Sequence, residues 1–282
     1  MRNTQRSQKI AFFFLFLATL LIVIPVGLIV VIIIQKGLPA INWQFLSDIP
    51  RQGMRAGGIF PAIIGTFYLV FGAVLFALPI GLLAAIYLSE YAQDNLLNRI
   101  IKLAIVNLAG VPSVVYGLFG LALFVVFLKF GASILSGSLT LGIMILPIII
   151  TTSREALESV PQSFREVSLS LGASKWQTIR HIVLPNAVPG ILTGTILGLG
   201  RAAGETAPIL FTVAAFYLPR LPKSIFDQAM ALPYHLYVIS TQVPNVDEKV
   251  RYGTALVLLF LVLFVNLIAI IIRYNFRKKK KW

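Results

Sequence analysis

Cysteine is absent from the 282 residues, and charged residues make up only 12% of them. Without cysteine the chain can form neither a disulfide framework nor a thiolate metal site. Soluble proteins carry about a quarter charged residues, so this composition indicates a chain that meets little water. Histidine is scarce too. His181 and His235 are the two present, neither lies in an HExxH sequence, and we expect both in solvated loops. This argues against a zinc enzyme.

No Gly-Lys dipeptide occurs in the chain. A nucleotide-binding P-loop needs this pair followed by Ser or Thr, because its backbone and lysine hold the phosphates. We therefore predict that the chain is not an enzyme and does not hydrolyse ATP itself, and we expect no cofactor. If its work requires energy, another chain supplies it.

Apolar residues account for 58% of the sequence and gather in runs of roughly 20 residues, the length that crosses a bilayer. The runs are apolar at odd and even positions alike, unlike barrel strands, and lipid requires the backbone polar groups to be satisfied within helices. We predict an all-α polytopic membrane protein, with residues 1–282 forming a single transmembrane domain. Its six predicted spans are 10–34, 61–88, 101–128, 133–152, 186–216 and 253–272.

The first run follows Arg2, Arg6 and Lys9, as the apolar core of a signal peptide would. It is longer than such a core and lacks a small-residue cleavage site. We predict that it remains in the membrane as span one.

Lysine and arginine are distributed unevenly between the two sides of the membrane. The side that holds both termini and the connections after spans two and four carries most of them. Because cytoplasmic loops are enriched in these residues, we predict that both termini lie in the cytoplasm. The tail RKKKKW would lie against anionic membrane lipid. The net charge of +14 therefore needs no nucleic acid as a partner.

Glycine recurs every fourth residue in span five, at Gly190, Gly194 and Gly198. Small residues at this interval let helix backbones approach closely. The pattern is typical of tight packing in any polytopic protein, and it also fits a helix that lines a pathway and meets a partner subunit.

Arg201 and Glu205, in GLGRAAGETAP, are the only ionisable residues well inside the predicted spans. Charges at such depth are costly and usually face a bundle interior or an aqueous cavity. Four residues apart on one helix, they would share a face and pair, and Pro208 would kink that helix. The pair could fix helix packing. Alternatively, the guanidinium, a planar fork of donors suited to phosphate or carboxylate oxygens, could handle an anion.

The connection between spans four and five mixes polar residues with apolar ones at helical spacing. Val167 and Leu171 lie one turn apart, and Gly172 is placed to end that helix. Ser174 followed by Gln177 predicts a capping box that opens a second short helix. A helix–Gly–helix hairpin with one apolar face, held at a membrane surface, is suited to contact another protein.

This connection, residues 161–185, resembles the EAA loop of ABC importer permeases: Glu-Ala-Ala, three residues, Gly, nine residues, Ile-x-Leu-Pro. The spacing matches throughout, with Val167 and Ser168 at the two Ala positions. In that family the loop forms the coupling helix, which sits in a cleft of the ATP-hydrolysing subunit. The resemblance implies docking residues Glu166, Ser168, Leu171, Gly172, Ala173, Ile182, Leu184 and Pro185.

Three segments are similar to the PstA-type permeases of phosphate-specific importers. They are RAGGIFPAIIGTFYL, TSREALESVPQSFREVSLSLGASKWQTI and GLGRAAGETAPILFT. The third discriminates best, because ABC permeases in general seldom carry Arg and Glu in mid-span. The resemblance implies that Arg201 and Glu205 act in phosphate passage, together with the adjoining Gly204 and Thr206.

Three further charged residues are weaker pathway candidates. Arg55 precedes span two on the outer side, where a solvated loop charge is the more common role. Arg154 and Glu158 share a helix face at the cytoplasmic end of span four, which could be either a surface-exposed end or the inner mouth of the pathway.

The resemblance implies an assembly in a bacterial-type inner membrane that imports inorganic phosphate. Its other members would be a homologous second permease, two copies of a P-loop ATPase subunit and an extracytoplasmic phosphate-binding protein. Another oxyanion such as sulfate, molybdate or phosphonate remains an alternative, since a guanidinium does not discriminate among them. A scaffold that signals phosphate flux is a second alternative. The expected placement of the long connection 217–252 outside the cell argues against it.

Overall fold

The structure is a computed structural model that describes residues 2–278 and is mainly helical. The basic tail predicted to lie on lipid falls largely outside these residues, from position 279 onward. The helices are α1 (Arg2–Gly37), α2 (Trp43–Ser47), α3 (Phe60–Ile86), α4 (Leu96–Ala109), α5 (Ser113–Gly120), α6 (Ile134–Glu158), α7 (Gln162–Ser170), α8 (Lys175–Thr178), α9 (Leu184–Gly204), α10 (Ala207–Thr212), α11 (Leu232–Thr241) and α12 (Glu248–Lys278). A two-stranded hairpin pairs β1 (Pro50–Arg51) with β2 (Ala56–Gly57). The all-α class is confirmed.

Within the described residues, five helices are long and apolar enough to cross a membrane. They are Ala11–Ala40, Phe60–Tyr91, Ile134–Glu158, Lys175–Gly204 and Glu248–Asn275. A sixth crossing is formed if α4 and the helix Ser113–Phe127 are taken together, although these two segments are bent by 103° relative to each other.

Span three is therefore not the single run 101–128 that the sequence predicts. α4 ends at Ala109, and α5 begins after Pro112. Proline has no backbone N–H to donate, and it disfavours helical backbone at the residue before it, here Val111. The Gly-Val-Pro sequence thus breaks the span in its middle.

Span five differs from its predicted limits at both ends. At one end α8 runs without interruption into α9, so the predicted second short helix of the hairpin is the first turn of the span. At the other end the helix stops at Gly204 rather than continuing to residue 216. In a helix the carbonyl of Gly204 would accept from the N–H of residue 208, and Pro208 has none.

α3, α6 and α9 pack closely, and glycine makes this possible. A Cβ added at Gly190 would collide with Ala156 of α6, and one at Gly194 with Thr152. One turn further along, Gly198 lies against Ile145 and Ile149. The glycine series of span five therefore lets α9 pack closely on α6. Of the two interpretations of this series, tight packing within the chain is the one that these contacts fit.

An apolar cluster separate from the main core lies where the loop 161–185 meets the bundle. It joins the ends of α3 and α6 to the start of span five through buried residues that include Ile86, Leu157, Ile179 and Val183. Phe164 of α7 packs against it. This cluster places the loop at one end of the molecule.

The opposite end carries α2, the β-hairpin and α11. The Tyr217 hydroxyl donates to the Pro50 carbonyl at 3.1 Å and helps hold this layer together. His235 lies here on α11 and is buried, 3% exposed, so its predicted place in a solvated loop is wrong: α11 packs its apolar face inward and takes the imidazole with it. His181 is solvated as expected, but on a helical turn.

Candidate functional site

Arg201 and Glu205 do form an ion pair, at 3.5 Å between Nε and Oε1. Their predicted arrangement on one continuous helix face is wrong. Arg201 occupies the last turn of α9, whereas Glu205 follows the helix end with extended backbone, φ −77° and ψ 136°. The two side chains are 30% and 19% exposed. The pair therefore sits at a helix break and is partly accessible.

The depth of this pair can be judged from the packing of α9 on α6. Gly198 lies against Ile145 and Ile149, and Arg201 follows almost one turn later. That level is near the middle of α6, which runs from Ile134 to Glu158. The ion pair is thus deep within the span, where a charge needs a partner or water.

The helices that follow the breaks in spans three and five pack on each other. A Cβ at Gly117 of α5 would lie 3.0 Å from the carbonyl oxygen of Ala207 and 3.1 Å from Cα of Pro208, just after Glu205. Gly204 exposes open space, since nothing lies within 4 Å of a Cβ built there. Thr206 caps α10, and its carbonyl accepts from Leu210 at 3.0 Å.

Tyr116 belongs to this region, although sequence reasoning missed it. Its hydroxyl donates to the carbonyl of Leu108 at 2.7 Å. In a continuous helix that carbonyl would accept from residue 112, which is proline. The carbonyl accepts instead from the Val111 backbone N–H at 3.1 Å and from this phenol, which ties α5 to the end of α4 across the break. The Gly-Val-Pro sequence nearby was the available signal.

The weaker pathway candidates lie elsewhere. Arg55 is in the layer with the β-hairpin, where its Nε donates to the Pro244 carbonyl at 3.1 Å. Arg154 and Glu158 pair at 3.4 Å in the last turns of α6. Since Gly190 and Gly194 face Ala156 and Thr152, this pair lies about three turns from the level of Arg201. The structure does not bring these three residues to the helix break.

The hairpin forms as its sequence predicts. Gly172 has φ +84°, a conformation that glycine adopts without strain, and it separates α7 from α8. The capping box is present: the Gln177 backbone N–H donates to Ser174 Oγ at 3.3 Å, and Gln177 Oε1 accepts from the Ser174 backbone at 2.7 Å. These bonds fix the direction in which α8 leaves the turn.

The predicted docking residues divide into two groups. Those at the hairpin tip are open: Leu171 is 83% exposed, and Glu166 and Gly172 are exposed beside it. Val167 and Trp176 add apolar surface, 61% and 50% exposed. Large exposed apolar groups at one place mark an interaction surface.

The second group supports the hairpin from within. Ser168 Oγ and Thr178 Oγ1 share a hydrogen bond of 2.9 Å between its two arms. Ile182 and Leu184 are half-buried at the start of span five, beside the exposed Pro185, and Ala173 is half-buried in the turn. These residues shape the hairpin more than they face outward.

Comparison with known proteins gives three kinds of match. Residues 77–282 match the family model of the binding-protein-dependent transport system inner membrane component. The chain is 35% identical to the probable ABC transporter permease protein YqgI of Bacillus subtilis, over 89% of this chain and 90% of that protein. It is 33% identical to the phosphate transport system permease protein PstA 1 of Mycobacterium tuberculosis, over 98% and 90%.

Solved structures show the same fold. The chain matches the inward-facing MetNI methionine ABC transporter with a TM-score of 0.62 at 17% identity, covering 76% of this chain and 94% of that one. It matches a bacterial ABC transporter that imports alginate with a TM-score of 0.63 at 15% identity, covering 95% and 96%. Together with the family model and the phosphate permease relatives, these matches confirm the resemblance. The chain belongs to the family of binding-protein-dependent transport system inner membrane components, the permeases of ABC transporters.

Proposed function

We propose that this chain is the permease subunit of an ATP-driven importer of inorganic phosphate and forms half of its translocation pathway. The observation that carries the proposal is the Arg201–Glu205 pair, partly accessible at a helix break deep within the span. Several relatives are phosphate transport system permeases, which supports phosphate as the anion.

The chemistry of the pair suits transient anion contact. A guanidinium presents several donors that match phosphate oxygens in pairs. At 3.5 Å the contact with Glu205 is long, so an arriving phosphate can compete for the same donors. Glu205 then repels the anion as the pair re-forms. An ion that is held too tightly cannot leave, and this exchange keeps the contact short-lived.

The broken helices supply the second element of the proposal. Non-helical backbone is tolerated at membrane depth where it is buried in protein or lines a water-filled cavity. Transporters often build their substrate sites from such discontinuous helices. The breaks at residues 110–112 and 205–206, with α5 packed on the start of α10 and open space beside Gly204, fit that arrangement.

Energy would come from a partner. We infer that the exposed hairpin tip at Leu171 docks onto a P-loop ATPase subunit, present in two copies, and that a homologous second permease completes the pathway. An extracytoplasmic phosphate-binding protein would deliver the anion at the opposite face. Both termini would then lie in the cytoplasm of a cell with a bacterial-type inner membrane.

Uptake of labelled phosphate by the reconstituted complex tests the function. We expect Arg201→Ala to lower uptake by about tenfold or more, the value of a charge-assisted hydrogen bond, with ATPase copurification unchanged. Arg220→Ala, at an exposed loop position, is the control and should transport normally. Unimpaired uptake by Arg201→Ala would contradict the role of Arg201 in phosphate passage. Stronger competition by sulfate or molybdate than by unlabelled phosphate would identify that oxyanion as the substrate.

A further inference from the structure

Arg165 of α7 forms a little-exposed ion pair with Glu90, which lies in the turn that ends span two. Nη2 donates to Oε1 at 2.7 Å and Nε to Oε2 at 3.2 Å, a bidentate arrangement that fixes both side chains. The side chains are 12% and 7% exposed. The other ion pairs found between residues 2 and 278 are more exposed.

The same guanidinium also binds the end of α6. Nη1 donates to the carbonyl of Val160 at 2.6 Å, and Nη2 donates to that of Leu157 at 2.9 Å. Carbonyls at a helix C-terminus lack their regular helical partners; the Leu157 carbonyl accepts from the Val160 backbone N–H at 3.2 Å, and Arg165 adds a charged donor to it and to the Val160 carbonyl. One side chain therefore joins three elements: α7, the end of α6 and the end of α3.

α7 has few other attachments to the bundle. None of its residues is buried, and Ser168 bonds within the hairpin itself. Phe164 packs against the apolar cluster. A cavity of about 590 Å³, lined among others by Glu90, Glu158 and Arg165, opens beside the ion pair. On the side of this cavity, Arg165 makes the polar contact between α7 and span two.

We propose that Glu90 and Arg165 act as a clamp that makes α7 move as one body with the cytoplasmic ends of α3 and α6. The proposal rests on the proposed function, in which an ATPase presses on the hairpin. Without the clamp, the short connection 159–161 would bend, and displacement of the hairpin would not reach span two. Both are positioning residues, since neither touches the substrate.

Distance measurement between spin labels tests the clamp directly. The chain has no cysteine, so cysteines introduced at Ser170 of α7 and Leu83 of α3, both exposed, label it specifically in a complex whose other subunits are cysteine-free. We expect ATP binding to leave this distance unchanged when the clamp is intact. In the double variant Glu90→Leu with Arg165→Met, which leaves no unpaired buried charge, we expect ATP to change it.

Coupling supplies the second readout. The double variant should still copurify with the ATPase and hydrolyse ATP, while phosphate uptake per ATP falls severalfold. Lys36→Met with Glu248→Leu removes an exposed ion pair of 2.9 Å and serves as the control, with coupling unchanged. Arg165→Lys keeps the charge but cannot bridge both carboxylate oxygens and two carbonyls. It should give an intermediate loss, and it replaces the double variant if that one fails to fold.

The outcomes separate the two proposals. The clamp is contradicted if ATP changes the label distance equally in the unaltered chain and the double variant, or changes it in neither. It is also contradicted if the double variant couples uptake to ATP hydrolysis normally, or if it no longer copurifies with the ATPase subunit. The distance does not depend on which anion is carried. Absence of phosphate uptake by the unaltered complex would therefore overturn the proposed function while the distance still decides the clamp.

Discussion

At the scale of the residue, polar side chains take over backbone groups where helices end or break. Tyr116 supplies a donor to the Leu108 carbonyl, which has lost its regular helical partner to proline, and Arg165 supplies donors to the carbonyls of Leu157 and Val160 at the end of α6. His235 differs from these. Its buried Nδ1 has no hydrogen-bond partner, so nothing in the structure favours its charged form.

The acid sensitivity of folding follows from His235. Burial lowers the pKa of His235 to about 4, whereas the unfolded chain takes up this proton near its ordinary value of about 6.5. Between these values the unfolded state binds more protons, so stability falls as the pH drops. From pH 7 to pH 5 the loss from this group is about 2 kcal/mol, at ~1.4 kcal/mol per pH unit below 6.5.

Thermal unfolding of the purified protein in detergent at the two pH values measures this loss. His235→Leu should lose less stability between pH 7 and pH 5 than the unaltered chain. His181→Leu, which replaces an exposed histidine, should behave like the unaltered chain. An equal loss of stability between pH 7 and pH 5 in the unaltered chain and in His235→Leu would contradict the prediction.

At the scale of the element, the hairpin depends on one backbone conformation. Gly172 has φ +84°, and nothing lies within 4 Å of a side chain built on it. Backbone freedom, not space, is therefore what glycine provides here. The turn sets the angle between α7 and α8, and with it the exposed apolar surface around Leu171.

Replacement of Gly172 by proline, whose φ is fixed near −65°, should remodel this turn and abolish copurification of the ATPase subunit. Gly131 offers a matched control, with φ +69° and nothing within 4 Å of its added Cβ. Gly131→Pro carries a similar backbone conflict in the connection before α6 and should keep the ATPase. A stoichiometric complex with the Gly172 variant would refute the docking role of the hairpin.

At the scale of the whole molecule, α1 stands apart from the bundle. Its apolar side chains are exposed along nearly the whole helix. It meets the rest of the chain near its end, where Gly37 packs on the Tyr252 carbonyl of α12 and Lys36 pairs with Glu248. A helix that is apolar on every side has no single face that distinguishes the protein core from lipid.

Removal of residues 2–29, which spares the contacts at Lys36 and Gly37, should therefore leave the fold intact. We expect its unfolding temperature to stay within about 3 °C of the full chain, the shift that ~1 kcal/mol gives in a protein of this size. Truncation of α12 after residue 261 removes Asn266, which lies against Gly200 of α9, and should destabilise much more. Equal losses in the two truncations would show that α1 belongs to the core.

Much of this architecture is visible in the sequence because apolar run length and glycine spacing report directly on lipid and on close packing. The Arg201–Glu205 pair is visible because it places charges inside an apolar run, and the hairpin is visible because its apolar residues follow helical spacing and its Gly, Ile, Leu and Pro keep the EAA pattern. The breaks were harder to place. A proline in an apolar run can kink a helix or end it, and the outcome depends on whether a group such as the Tyr116 hydroxyl takes the freed carbonyl. The Glu90–Arg165 pair joins residues far apart in the chain, and no local pattern shows such a contact.

The uninterrupted run from Lys175 to Gly204 has a mechanical consequence. It begins at the hairpin and carries Arg201 near its far end, so it is a lever about 40 Å long at ~1.5 Å per residue. A tilt of about 5° about its base would carry the tip of such a lever through roughly 3 to 4 Å. Glu205 directly follows this run, so both members of the ion pair would move together. A small change of angle at the hairpin end is therefore enough to shift the Arg201–Glu205 pair by several ångströms relative to the helices around it.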